Sequence, residues 1–447
     1  MQNNNIVFYK KQRIFPFILV LSVFFIKFVP FPMITFLGFA PENFIFLLLA
    51  IYLFLNSSII FESKSILFII SLFSVFYLLE LFFDILQNEP SISIAPQVRS
   101  ILLIFSVAFF CSNKERFILS LKFFVSLIVF SVVFGAFVYF IGEPFISIRE
   151  WFTRSASTYE SAFIGRGSQL TGLYGLPHIF GYVMAGAPIL CFTLFLAVRR
   201  FVWLVFLLIS SVGLLLNAER SALLMNVIVF SIILWRQRNR FLLFIALSLC
   251  VIIIAIFQHI FIPASIDTED TYNTNISGQY RTSYRAGSLN DRLNTTTTGE
   301  VFDRIKWQLY GIKAVFKHPL IGVTQSQYAH EVYSDSLSAP NQKQIERTLS
   351  PHNHYVNVGL KAGIWGWIIL SALLWRIVIM LKTNTSIFVS DQPLVVLALG
   401  VKLSVVATMG NALFHNAGLF SGELASITTL AFLMALHHMS QSPKAKI

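Results

Sequence analysis

Apolar runs of about 20 residues, the length that spans a bilayer as a helix, recur along almost the whole of this sequence. They constrain the fold more than any motif does. Inside hydrocarbon a backbone must satisfy its own N–H and C=O groups, and runs of this length do so as helices. Read by length and apolarity, twelve spans follow: 14–34, 42–60, 65–84, 98–112, 117–141, 176–197, 201–217, 220–236, 241–262, 354–381, 392–412 and 418–437. The composition agrees. Of 447 residues 56% are hydrophobic and 12% charged, with a mean hydropathy of +0.73, whereas soluble domains carry roughly 25% charged residues. The expectation is an all-α integral membrane protein. Its first apolar run follows Lys10, Lys11 and Arg13, is too long for a signal peptide and lacks a small-residue cleavage site after it, so it reads as the first span.

The net charge of +12 does not indicate a nucleic-acid partner, because outside one large loop the basic residues lie in short connections between apolar runs. Lys10, Lys11, Arg13, Lys64, Lys114, Arg116, Arg199, Arg200, Arg236, Arg238, Arg240, Lys382, Lys444 and Lys446 all fall on one face if the spans number twelve. By the positive-inside rule that face is cytoplasmic, and so are both termini. Three regions follow: 1–261 with nine helices and an external loop at 142–175, a large external loop at 262–353, and 354–447 with three helices. Cys111, Cys191 and Cys250 sit in apolar runs with neither metal-ligand nor disulfide spacing.

The large loop is too long to be a simple connector. Residues 265–300 are rich in Ser, Thr, Asn and Gly, while 301–318 has helical period. There Ile305, Leu309, Ile312 and Phe316 make an apolar stripe, and Lys306, Lys313 and Lys317 share a polar face. Such a helix suits a membrane surface, and Pro319 stops it. At the loop's end, Ser350 suits an N-cap and Pro351 the first helical position. That register puts His352 in the first helical turn, beside free N–H groups that attract an anion and favour a neutral imidazole. Among charges in apolar runs, Lys27, Glu80, Asp84, Lys122 and Glu423 suit snorkelling near helix ends. Lys402 lies mid-helix, as a buried structural partner or a substrate contact.

Arg166, Arg220, Arg304 and His352 come from four separate segments yet map to the external face. Guanidinium groups hold diphosphate by bidentate, charge-assisted bonds, and a positioned histidine takes a proton from an attacking hydroxyl. No carboxylate cluster of the metal-binding kind stands out on that face, which disfavours a metal-dependent transferase, although Glu219, Asp267, Glu269, Asp270 and Asp303 leave that alternative open.

Three blocks in order resemble the O-antigen ligase and polymerase family of bacterial envelope proteins, the WaaL-type ligases and Wzy-type polymerases. They are Arg166-Gly167-Ser168-Gln169-Leu170-Thr171-Gly172-Leu173-Tyr174-Gly175, then Asn217-Ala218-Glu219-Arg220-Ser221-Ala222, and a third running from Asp303-Arg304 through Trp307 and Pro319–Val323 to His352-Asn353-His354-Tyr355, ending at Gly359 and Gly363-Ile364-Trp365-Gly366. Glu219 replaces the serine of the family's Ser-Arg-small pattern. His178 stands where many relatives have asparagine, and no role is carried to it.

The resemblance implies a GT-C-like membrane glycosyltransferase of the bacterial inner membrane. It acts at the periplasmic face on an undecaprenyl-diphosphate-linked glycan, without metal or organic cofactor. It also implies catalytic roles for His352, with His354 as the alternative base, and for Arg220 and Arg304. Arg166, Asn353, Tyr355 and Lys306 are candidate substrate contacts. Expected partners are the lipid-linked glycan, a lipid-linked or lipid A–core acceptor, membrane lipid and other polysaccharide-assembly membrane proteins. The favoured expectation is an O-antigen-type polymerase. A ligase to lipid A–core and a flippase of the lipid-linked unit are the alternatives.

Overall fold

Helix breakers and buried amides, more than apolar length, set where the helices of this protein begin and end. The computed structural model describes residues 14–28, 41–55, 64–87, 95–141, 144–145, 148, 170, 172–173, 177–217, 219–236, 298–324, 327–328, 351–382, 391–415 and 424–441. Every long element among them is a helix: α1 (Ile14–Phe28), α2 (Pro41–Leu55), α3 (Lys64–Leu86), α4 (Ala95–Phe110), α5 (Lys114–Phe140), α6 (Pro177–Met184), α7 (Ala187–Val198), α8 (Phe201–Asn217), α9 (Arg220–Arg236), α10 (Thr298–Lys317), α11 (His354–Lys382), α12 (Gln392–Asn411) and α13 (Leu424–Gln441). Five stretches among the described residues are long and apolar enough to cross a membrane: Ile66–Leu86, Lys114–Phe140, Phe180–Val198, His354–Lys382 and Gln392–Asn411. The expected span at 241–262 lies outside the described residues, as do nearly all of 142–175 and most of 262–353.

Two expected spans are broken. The run 176–197 divides into α6 and α7 at Ala185-Gly186. Pro188 has no N–H to give the Met184 carbonyl. Asn226 of α9 compensates, its Nδ2 donating to Ala185 O at 3.1 Å and Met184 O at 3.4 Å. The run 354–381 breaks at Gly363, whose φ of 60° and ψ of −151° no helix contains. The chain folds sharply there. Trp367 Nε1 donates to Tyr355 O at 3.0 Å, although twelve residues of straight helix would separate those positions by about 18 Å. Residues 364–382, about 28 Å of helix, are left to cross the bilayer, and their Trp365, Ile368 and Trp375 are exposed as lipid-facing side chains would be.

The break in α11 is filled by the turn after α10. Val323 N donates to Leu360 O at 2.7 Å, and Ile364 N to Pro319 O at 2.8 Å. Gln87, at the end of α3, donates to Ile321 O and Lys361 O. The inner face of α10 is Gly311, Ala314 and Val315, packed on Val356 and Leu360, while Ile305, Leu309 and Phe316 face outward.

The bundle's centre is α13, which packs on α4, α12, α6 and α11. Its residues 426–437 are buried on every side, and Phe432 meets the rings of Phe24, Phe117 and Phe124. A helix buried all round has no amphipathic stripe. Around it, α1 packs on α2, α4 and α5; α3 on α11; and α12 on α7 and α9. Asn113 caps α5 and Asp391 caps α12. Lys114 pairs with Asp391, which puts the starts of α5 and α12 at one end of the bundle. Cys111 and Cys191 are free thiols within the core.

Candidate active site

The last carbonyls of a helix have no partner within it, and at the C-terminal end of α12 two neighbouring helices supply donors. Tyr355 Oη donates to Met409 O at 2.7 Å, and His354 N to Ala412 O at 2.9 Å. Gln308 Nε2 of α10 donates to Leu413 O at 3.4 Å. The start of α11 and the middle of α10 are thereby fastened to the point where α12 ends.

At the start of α11 the register differs from the one expected. The helix begins at His354, and its cap is Asn353, whose Oδ1 accepts from Tyr355 N at 3.0 Å and Val356 N at 3.2 Å. Pro351 is therefore not the first helical residue, and His352 lies outside the first turn. Nor does this helix start offer an anion its N–H groups, since those of His354, Tyr355, Val356 and Asn357 all have protein acceptors. Asn353 outcompetes Ser350 because its amide does two jobs, its Nδ2 also donating to Gln308 Oε1 at 3.3 Å. His352, just before the cap, takes φ of 48°. Its half-buried ring lies 5.6 Å from that of Trp307, tilted by 31°.

A second group gathers where α9 starts. His415, four residues past the end of α12, is buried, and its Nε2 lies 2.7 Å from Ser221 Oγ and 3.4 Å from Glu219 Oε2. Tyr182 of α6 packs edge-on against its ring at 5.1 Å. Gly181 lies against Glu219, and a Cβ there would come within 2.6 Å of Glu219 Cγ. Below, Asn217 Nδ2 donates to Leu170 O at 2.8 Å, and Leu170 N to Leu216 O at 3.0 Å. Although Ser221 and His415 are close, they do not form a hydrolytic triad. Both Ser221 and Glu219 approach the same ring nitrogen, so the carboxylate does not orient the imidazole from its far side.

The expected site residues fall as follows. Position 220 opens α9 between Glu219 and Ser221, and position 304 lies in α10 one turn before Trp307 and Gln308, on their face of the helix. The side chains of both lie outside the described residues; among the described ones, His352 meets Trp307 and Asn353 meets Gln308, and Gln308 reaches Leu413, two residues before His415. Arg166 is outside the described residues, although Leu170, four positions on, is joined to the end of α8. Asn353 and Tyr355 serve the scaffold through the bonds given above. Lys306 is exposed, with Nζ 5.8 Å from the Tyr310 ring centroid. Lys402 is half-buried within α12. His415 was not anticipated. The alternation of spans places residues 413–417 on the same external face as Arg220 and His352, and that parity was the available signal.

Residues 204–371 match the family model described as O-antigen ligase. The chain carries an O-antigen ligase family domain. That stretch holds Arg220, Arg304 and His352, but not Arg166 or His415. The family implies a membrane enzyme of glycosyltransferase type working on lipid-linked glycan and lipid substrates. A comparison with curated proteins gave no match.

Proposed function

We propose that this O-antigen ligase family chain is a polysaccharide polymerase, joining lipid-linked repeat units at the periplasmic face of the inner membrane. The observation that carries the reading is the convergence of the starts of α9 and α11 with α10 on the end of α12. Those three elements carry or adjoin positions 220, 352 and 304, the histidine and two arginines of the scheme. Arg220 and Arg304 hold the diphosphate of an undecaprenyl-diphosphate-linked glycan and stabilise the charge it takes on leaving. His352 accepts the proton of the acceptor hydroxyl. As the acceptor oxygen bonds to the anomeric carbon with inversion, the bond to the diphosphate oxygen breaks and undecaprenyl diphosphate departs. Positioning and charge stabilisation suffice for so good a leaving group, and the scheme uses neither metal nor cofactor. Arg166 and Lys306 contribute further contacts to glycan or phosphate. Asn353 and Tyr355 hold the start of α11 beside the donor.

The length of the external 262–353 segment and its polar 265–300 stretch favour an acceptor that is itself a glycan on lipid. Deletion of the gene tests this. A polymerase mutant caps lipid A–core with a single repeat unit. A bare core with accumulated lipid-linked polymer identifies a ligase. Units that cross a reconstituted bilayer but neither lengthen nor transfer identify a flippase.

His352→Ala and Arg304→Ala are each expected to cut transfer by at least about 100-fold, with protein yield and membrane insertion retained. Wild-type rates in His352→Ala rule out the base assignment. Activity lost to a chelator and restored by a divalent ion rules out the metal-free scheme.

A further inference from the structure

We propose that α10 is a dock for anionic phospholipid, its outward apolar stripe seated in the leaflet on the site's side of the membrane and Lys313 and Lys317 holding headgroup phosphates beside it. Only the assignment of that leaflet as periplasmic rests on the reading of the site as periplasmic.

A helix with one apolar stripe ordinarily buries it against its own protein. In α10 a different face is buried. Gly311, Ala314 and Val315 pack on Val356 and Leu360 of α11, while Leu309 and Phe316 stay 61% and 67% exposed, with Ile305 exposed beside them. Apolar side chains at helical spacing that the fold leaves uncovered are matched by an apolar phase outside it. The adjacent phase is the bilayer. Phe316 meets the ring of Trp367 at 5.9 Å, in the part of α11 that crosses. Beyond it the exposed Leu320 and Ile321 extend the apolar surface, and Gln87, at the end of α3, donates to Ile321 O. The stripe of α10 therefore runs into the exposed side chains of two spans, Leu86 on α3 and Trp365 on α11.

The charge pattern indicates the kind of lipid. Between Arg304 and His318 the sequence has Lys306, Lys313 and Lys317 and no carboxylate. These lysines lie about a quarter turn round the helix from the stripe, the level at which headgroups meet a helix lying in the interface. Lys306 and Lys313 approach one ring, their Nζ atoms 5.8 and 6.0 Å from the Tyr310 centroid, and among the described residues neither makes an ion pair. α10 also holds Trp307 against His352 and Gln308 against Asn353 and Leu413. The leaflet that seats α10 thus steadies the start of α11 as well.

The test uses the full chain in nanodiscs, with its native cysteines replaced and a bimane label at Leu309→Cys. Phospholipids brominated near the headgroup end of their chains quench a label that lies among them. Brominated phosphatidylcholine is expected to quench position 309 as strongly as a label at Leu86→Cys, the exposed external end of α3. Phosphatidylglycerol should displace it with several-fold preference. Lys313→Gln and Lys317→Gln should each lower that preference, by up to roughly fivefold, and leave quenching by phosphatidylcholine in place. Quenching at 86 without quenching at 309 means that protein covers the stripe, and overturns the proposal. Equal affinity for the two lipids, or a preference that survives both glutamine substitutions together, overturns the role of the lysines. Quenching requires no transfer, so a chain that seats α10 in lipid yet never lengthens a glycan overturns the polymerase reading alone.

Discussion

His352 holds a backbone angle that side chains rarely adopt, and the strain is local to the residue proposed as base. An L-residue in the left-handed region costs about 1 kcal/mol relative to glycine, and such outliers persist where the surroundings over-determine them. Here Asn353 pins the next residue by two cap bonds and a bond to Gln308, while Trp307 covers the ring. His352→Gly relieves the strain and forfeits the ring contact, terms of similar size. Thermal unfolding should therefore move by less than about 1 kcal/mol while transfer disappears. A large drop in stability would instead make His352 a structural residue. The importance of this segment was legible from its motif, but its register was not. Ser350-Pro351 has the local chemistry of a cap and first helical residue, and nothing local reveals that Gln308, far away in sequence, gives the amide of Asn353 a second bond. His415 was hidden for the same reason, since its partners Glu219 and Ser221 lie on another helix.

At the scale of elements, the two broken helices carry their cause in plain view, at Pro188 and Gly363, yet a hydropathy window passes through both. An apolar window registers length and not whether each N–H finds its carbonyl. The break at Gly363 matters for the site because the nine residues before it, 354–362, are the part of α11 packed on α10. A Cβ at 363 would approach the Pro319 carbonyl oxygen to 2.3 Å, and φ there is +60°. Gly363→Ala should therefore lift the Pro319–Val323 turn out of the break and let α10 shift against His352. The expected cost is at least about 1 kcal/mol from the backbone alone, with transfer falling more than protein level does. Unfolding in detergent and in vitro transfer measured on one preparation check this. Unchanged values in both would show that the turn is not held by Gly363.

At the scale of the molecule, the sequence indicated a helical membrane bundle with alternating basic ends, but not that its last helix is the centre. α13 contains Thr428, Thr429, His437 and His438 and is less apolar than α1, α2 or α3. A central helix meets protein on all sides and can pair such groups. The ends of the bundle are tied by contacts that can be compared with the charge pattern. Lys114 with Asp391 joins the starts of α5 and α12. His415 with Ser221, His354 with Ala412, and Gln308 with Leu413 join the end of α12 to the starts of α9 and α11 and to α10. α12 links the two sets, so they mark opposite ends of the bundle. The basic connections at Lys114 and Lys382 belong with the first set, and α10 with the second. If the first end is cytoplasmic, an impermeant maleimide should label Lys313→Cys and Leu413→Cys from the periplasm. It should reach Arg199→Cys and Lys382→Cys only after the inner membrane is opened, all four positions being exposed and the background free of native cysteine. Labelling of position 413 together with 382 from one side would break the alternation. It would also remove the periplasmic placement of the site, because Leu413 and the helix that carries Arg304 are bonded to each other.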